Sequence, residues 1–291
     1  MKNLKILKKL SALFLMLILT ATTMFTFGCN ESNEEYSGSV ILISIDGMRP
    51  DAIDSTEYGK YIKTVSTYSL SVNTVSPSIT LPCHTSMLYG IEPSVHGIIT
   101  NEYTPSENIG KSIFDIANDN SLKAVAFYNW KQIGDIVNDN SVKNETYIGG
   151  EIHGWEQANQ LLSGEFISYV ENNEFDLAFL YLGFLDEWGH KYGWLSNEYF
   201  YALEESLKIV KQVIEKAPKN TTIILTSDHG GHDYSHGTTL PEDMTIPLYV
   251  IGDYFEKGKQ LSGLTMLDTA PTILKLLNIK KPDKWQGKAI L

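Results

Sequence analysis

Nine residues, Asp228 to His236 in the stretch SDHGGHDYSHG, hold three of the chain's seven histidines together with two aspartates. Imidazole and carboxylate donors in one segment suit zinc or a neighbouring transition metal, whereas magnesium and calcium favour all-oxygen shells. A solvated polar loop is the plain alternative for such a segment. Asp186 and His190 stand four apart in DEWGHKYGW. On a helical turn their side chains share a face and can hold one ion. Asp46 closes the apolar run SVILISID, and Gly47 permits a sharp turn close to whatever that aspartate binds. Any one of these aspartates reads equally well as a helix cap or turn starter. Three of them at the ends of apolar runs argue for a shared site. In PSITLPCHTSM, Thr80, Cys83 and His84 follow one another closely, and each is a candidate for the reactive group. Arg49 is the only arginine, and Asp51 is its expected partner.

The elements that must position these groups alternate. SVILISIDG, LKAVAFYNW, FDLAFLYLGF, TTIILTSDHG and TIPLYVIG are short, continuous apolar runs, as expected of strands covered on both faces. Helical patterns separate them at about 107 to 119, 155 to 172, 195 to 216 and 265 to 277. The alternation predicts an α/β fold, a three-layer α/β/α sandwich around a mostly parallel central sheet. In such sheets ligands gather beyond the carboxyl ends of the strands, where Asp46, Asp186 and Asp228 fall.

The chain has 291 residues, 43% of them hydrophobic, enough for one large core. Lys2, Lys5, Lys8 and Lys9 precede an uncharged run from Leu10 to Gly28, the pattern of an export signal over residues 1–28. An uncleaved membrane anchor is the alternative, since about 20 apolar residues span a bilayer. TFGC resembles a lipobox with Thr26 in place of the usual leucine-like residue, so Cys29 is expected to be lipidated, with residues 29–38 as a tether and 39–291 as a single catalytic domain. The expected location is extracytoplasmic and membrane-tethered, as in a bacterial lipoprotein. Cys83 then has no intramolecular disulfide partner. The net charge is −12, and −16 without residues 1–28, which hold four lysines and no acid. A nucleic-acid polymer is therefore not an expected partner, and an anionic substrate must be attracted locally by bound cations.

DGMRPD, TLPCHTSMLYGIEPSVHGIITN, DEWGHKYG and SDHGGHDYSHG, in that order and followed by LDTAPTILKLLNI, resemble the alkaline phosphatase superfamily, most closely its type I phosphodiesterase/nucleotide pyrophosphatase branch. The resemblance implies that Thr80 is the nucleophile. It implies one divalent ion on Asp46, Asp228, His229 and Thr80, and a second on Asp186, His190 and His236, with His232 as the alternative to His236. It places Asn101 on a phosphoryl oxygen. Zinc is the expected metal, with manganese as the alternative. The implied activity is hydrolysis of phosphodiester or pyrophosphate bonds in a small phosphate ester, a nucleotide among the candidates, through a phospho-threonine intermediate. Phosphomonoester, phosphonate or sulfate ester hydrolysis, phosphoryl transfer, and a silent metal-binding lipoprotein are the alternatives. The cysteine-type sulfatase signature C-x-P-x-R is absent, so Cys83 is not expected to react. Tyr128, Trp130, Trp155, Trp188 and Trp194 are candidates to stack on a leaving group, most of them being core.

Overall fold

Runs of aliphatic and β-branched residues form seven strands in a computed structural model that describes residues 36–291 except 138 and 139. They are β1 (Val40–Ile45), β2 (Thr67–Asn73), β3 (Ala124–Tyr128), β4 (Asn144–Tyr147), β5 (Leu177–Leu182), β6 (Thr222–Thr226) and β7 (Thr245–Ile251). Their order in the sheet is β2-β7-β6-β1-β5-β3-β4. From β6 to β4 every neighbouring pair is parallel, while β7 runs antiparallel to both β6 and β2. TIPLYVIG is buried on both faces whichever way it runs, so its apolar pattern carries burial and not direction. The export segment expected over residues 1–28, Cys29 and the tether as far as residue 35 lie outside the described residues. Among the described residues no helix is long and apolar enough to cross a membrane.

Helices cover both faces. α1 (Glu57–Val65), α4 (Trp155–Asn172), α5 (Phe184–Tyr192) and α6 (Asn197–Lys216) pack on one face, and α2 (Thr80–Tyr89), α3 (Ile113–Asp119) and α7 (Thr269–Leu276) on the other. β1 shows how a single strand serves both. Ile41, Ile43 and Ile45 join Leu162, Phe166 and Leu203, whereas Val40 and Leu42 join Leu81, Phe114 and Ile273. This is the period-2 alternation of side chains in a strand between two apolar layers. The helix expected from 107 begins only at Ile113. The Ser112 hydroxyl accepts from the Asp115 amide and the Asp115 carboxylate accepts from the Ser112 amide, a reciprocal cap that fixes the start.

His84 and His96 are absorbed by the core. His96 accepts the Ile98 amide at Nδ1 and meets the Ser86 hydroxyl at Nε2, 3.0 Å away, with no exposure. Burial pushes its pKa down to about 4, from the ordinary 6.5. As pH falls the unfolded chain therefore takes up this proton first, so stability is intact above about 6.5 and declines toward 4. His96→Gln is expected to flatten the loss of stability between pH 7 and 5 by up to one proton's slope, on the order of 1.4 kcal/mol per pH unit. Urea midpoints at the two pH values measure it; equal slopes in mutant and wild type would contradict it.

Candidate metal centre

The central, mutually parallel strands β6, β1 and β5 end together, Ile45 beside Leu182 and Ser44 beside Thr226. Each strand delivers its acid within four residues of that edge. Asp46 follows β1, Asp228 and His229 follow β6 after Ser227, and α5 starts after Gly183 with Asp186 and His190 one turn apart. The turn after Asp46 is tight. Gly47 has φ +68°, and a Cβ there would stand 2.9 Å from Asp186 Oδ1, so only glycine passes so close to that carboxylate. Trp194 Nε1–H and the Tyr199 hydroxyl both donate to the Gly47 carbonyl, at 3.0 and 2.9 Å, and the Gly47 amide donates to Asp228 Oδ1.

Asp46, Asp228 and His229 form a fully buried cluster, and Asp186, His190 and His236 form a second one that is open on one side. In all three cluster histidines Nδ1 meets a backbone carbonyl: Gly230 for His229 at 2.8 Å, Tyr234 for His190 at 2.9 Å, Ser78 for His236 at 2.8 Å. A carbonyl only accepts, so each Nδ1 carries a proton and Nε2 is the atom left to face the cluster. His229 Nε2 lies 3.3 Å from Asp46 Oδ1 and 3.2 Å from Asp228 Oδ2. His190 Nε2 lies 3.4 Å and His236 Nε2 3.9 Å from oxygens of Asp186. Asp46 Oδ1, Asp186 Oδ1 and Asp228 Oδ2 are buried without a hydrogen-bond partner. In the first cluster each carboxylate has its other oxygen bonded: the Tyr181 hydroxyl donates to Asp46 Oδ2 and the Gly47 amide to Asp228 Oδ1. Bare acceptors and ring lone pairs converging in a buried space are costly unless a cation joins them. The donor set therefore fits two divalent ions, and the mixture of nitrogen and oxygen donors fits ions of the zinc type. The His229 and His236 rings stack at 3.7 Å, so the two clusters adjoin.

Without a cation the electrostatics are strained. Burial, reinforced by Asp228 and Asp186, pushes the Asp46 carboxyl well above its ordinary range, and burial raises Asp228 to about 7. Burial pushes His229 down to about 3. In the second cluster the hydrogen bond with Asp186 raises His190 to about 9. In the metal-free protein His190 is thus a cation paired with Asp186, and a metal ion must displace that proton to use Nε2.

Thr80 opens α2, nearly buried, with Oγ1 3.3 Å from His229 Nε2. The helix N-terminus beside it favours an anionic group. Asn101 Oδ1 accepts the Leu81 amide at 3.0 Å, which leaves the Asn101 NH₂ as a donor at the same helix end. Thr80, Asn101 and acids of both clusters line one cavity of about 130 Å³. A larger groove of about 270 Å³ between α4 and α6 holds none of these groups. Other sequence candidates go elsewhere. His84 meets the Thr80 carbonyl at Nδ1 and the Ser44 hydroxyl at Nε2. His232 bonds Asp243 at 2.7 Å and belongs to neither cluster. Cys83 is buried, and burial pushes its thiol far above the range where it ionises. Arg49 pairs with Asp51 and donates to the Gly231 carbonyl. Of the aromatic candidates, Trp130 and Trp155 line the cavity, whereas Trp194 holds the Gly47 turn, Trp188 packs on Phe184, and Tyr128 bonds Glu145. Tyr181 and Glu187, also on the cavity wall, are additional to the candidates read from the sequence. A tyrosine in a wholly buried strand needs a hydroxyl partner, and that signal was available in FLYLGF.

The profile of the type I phosphodiesterase / nucleotide pyrophosphatase family matches residues 40–244. The chain belongs to this family. Mouse ectonucleotide pyrophosphatase/phosphodiesterase family member 1 is 26% identical over 222 residues, 67% of this chain and 24% of that protein. A 2,3-bisphosphoglycerate-independent phosphoglycerate mutase of Antithamnion sp. is 35% identical over 98 residues, 30% of this chain and 19% of that protein. The chain thus matches about a fifth to a quarter of the length of these curated relatives. In fold, it superposes on murine ectonucleotide pyrophosphatase / phosphodiesterase 5, an inactive form in complex with AMP. The TM-score is 0.70 at 16% identity, covering 86% of this chain and 98% of that one. A 2-O GAG sulfatase superposes with TM-score 0.69 at 13% identity, covering 87% and 73%. The type I phosphodiesterase fold is thus shared with sulfatases, and the three-layer architecture agrees with the alternation in the sequence.

Proposed function

We propose that this type I phosphodiesterase-family chain is a two-metal hydrolase that cleaves phosphodiester or pyrophosphate bonds through attack by Thr80. The observation that carries this reading is Thr80 Oγ1 at 3.3 Å from His229 Nε2, beside two adjoining clusters with three bare carboxylate oxygens. Asp46, Asp228 and His229, with Thr80, would hold one divalent ion, and Asp186, His190 and His236 the other. When bound, such ions supply Lewis-acid charge that lowers the threonine pKa and offsets negative charge on the reacting oxygens. Thr80 Oγ1 forms a bond to phosphorus as the bond to one ester oxygen breaks, and the hydroxyl proton ends on the departing alcohol. Water then cleaves the phospho-threonine and restores the hydroxyl. The Asn101 NH₂ and the α2 N-terminus orient the phosphoryl oxygens. Family membership and the murine neighbour in complex with AMP support a small phosphate ester, with a nucleotide as one candidate.

The test is a comparison of zinc-loaded protein on bis-p-nitrophenyl phosphate, p-nitrophenyl phosphate and p-nitrophenyl sulfate. The diester is expected to lead by about tenfold or more in kcat/KM; no turnover of any ester would overturn the reading. The similarity to phosphoglycerate mutases favours phosphoryl transfer as the second reading, and it would appear as phosphorylated product when a small alcohol is added as acceptor. Location belongs to the same proposal: an exported chain tethered through a lipid on Cys29. Cys29→Ser is expected to move the protein from the membrane to the soluble fraction of cells, and unchanged membrane retention counts against lipidation.

A further inference from the structure

We propose that Asp243 is a positioning residue for the second ion: its carboxylate ties His232 to Thr238, closes the loop that carries His236, and so sets the affinity of the Asp186, His190 and His236 site without belonging to it. The inference rests on the two-metal reading above and deepens it. β7 runs antiparallel to β6, so the residues that lead into β7 lie opposite those that leave β6. The Gly230 amide donates to the Asp243 carbonyl and the Gly231 amide to the Glu242 carbonyl, both at 2.9 Å. A Cβ on Gly230 would stand 2.0 Å from the Glu242 carbonyl oxygen, so the two segments meet this closely only because residue 230 is glycine. Beyond that meeting point the loop leaves the core. Residues 233–235 and 238–242 are exposed, so burial does not hold them.

The Asp243 side chain holds the loop instead. It is fully buried, and His232 is its one ion-pair partner among the described residues. Oδ1 meets His232 Nδ1 at 2.7 Å, and because a carboxylate only accepts, that nitrogen carries the proton. Oδ2 accepts from both the amide and the hydroxyl of Thr238, at 2.8 and 2.7 Å. One carboxylate thus fastens both ends of a stretch that turns back on itself. His232 and Ser235 exchange backbone hydrogen bonds at 2.9 Å, and Asp233 between them has φ +46°, in the left-handed region that residues with a side chain disfavour. Tyr234 and His236 lie inside the fastened stretch. His236 offers a ligand atom directly, and the Tyr234 carbonyl accepts from His190 Nδ1–H. Two of the three groups in the second cluster therefore take their places from this loop. The first cluster does not. Asp46, Asp228 and His229 follow the ends of β1 and β6, ahead of Gly230, and the bonds of Gly230 and Gly231 go to the backbone of residues 242 and 243.

The experiment measures zinc affinity one site at a time in the full chain, by competition with a chromophoric chelator. An Asp228→Ala background leaves the second site, and an Asp186→Ala background leaves the first. Asp243→Ala is expected to weaken the second site by about tenfold, the lower end of what outer partners of metal ligands cost, and to change the first by less than about twofold. Asp243→Asn keeps an oxygen for Thr238 and is expected to recover part of the loss. His232→Ala cuts one of the two ties and leaves Asp243 bonded to Thr238. It should weaken the second site several-fold and the first not at all, and it carries the test if Asp243→Ala does not fold. Equal weakening of both sites would make Asp243 a general support of the fold and overturns the inference, as does a second site that neither variant weakens. A wild-type chain that binds fewer than two zinc ions overturns the two-metal reading, and this inference with it.

Discussion

Thr80→Ala is expected to lower turnover of bis-p-nitrophenyl phosphate by about 10³-fold or more, the scale on which enzymes lose rate when a covalent nucleophile is removed. Apart from its place beside the first ion, which Asp46, Asp228 and His229 can hold without it, the side chain contributes little to the fold. The helix α2 has Ile79 as its N-cap with no side-chain cap bond, so the Thr80 hydroxyl does not hold the helix start. The interaction with His84 uses the Thr80 backbone carbonyl, which alanine keeps. Alanine is also the best helix former. The fold and both clusters should therefore survive, and zinc content should stay near that of the wild type, which separates lost chemistry from lost metal. Thr80→Ser, which keeps a hydroxyl at the same place, is expected to recover a substantial part of the rate. Cys83 cannot substitute, because its thiol is buried and held protonated; Cys83→Ser should leave most activity in place. Turnover unchanged in Thr80→Ala would falsify attack by this residue.

How much of this was legible before the structure depends on what each pattern encodes. The acids at the ends of SVILISID and TIILTSD were legible as neighbours because continuous apolar runs mark parallel strands, and parallel strands bring their carboxyl ends to one edge. Trp155–Asn172 was read with its observed bounds, since Ala158, Leu162, Phe166 and Val170 recur at every fourth residue along one buried stripe. β2 and β4 were not read as strands. TYSLSVN is buried at only some positions, and NETY is half-exposed throughout, as suits their places at the two edges of the sheet. α2 escaped for the opposite reason: all ten of its residues are buried, which removes the polar face that periodicity needs. The choice between His232 and His236 lay beyond spacing as well. It turns on the Asp243 carboxylate, which comes from eleven residues downstream of His232 and draws it away from the cluster. Glu187 was visible as an acid in DEWGH, but its place on the cavity wall depends on how α5 is turned against β5.

Chelation of both ions is expected to lower the melting temperature, and single acid replacements should separate the two sites. Asp186→Ala should retain roughly one zinc per chain by elemental analysis, because the fully buried set of Asp46, Asp228 and His229 is untouched. Asp228→Ala should lose the other ion and leave Asp186, His190 and His236 to hold theirs. With free zinc about 1,000-fold above the dissociation constant, each site contributes about 4 kcal/mol to folding stability. Two sites in a chain of this size then correspond to a shift of very roughly 15 to 30 °C on removal. The sign reverses without metal. Asp46 and Asp228 have raised folded pKa values, so in the metal-free chain these two carboxyls bind more protons folded than unfolded between about pH 4 and 7. Their contribution to stability therefore falls as pH rises through that window, opposite to the contributions of the buried His84, His96 and His229, whose pKa values are lowered. Asp228→Ala removes one of the repelling carboxylates. In chelator at pH 7.5 it should melt at or above the wild type, and in zinc clearly below it. A variant that melts below the wild type to the same extent in both conditions would mean that Asp228 stabilises the fold by ordinary packing, and the bare oxygens at these strand ends would then need another explanation than bound cations.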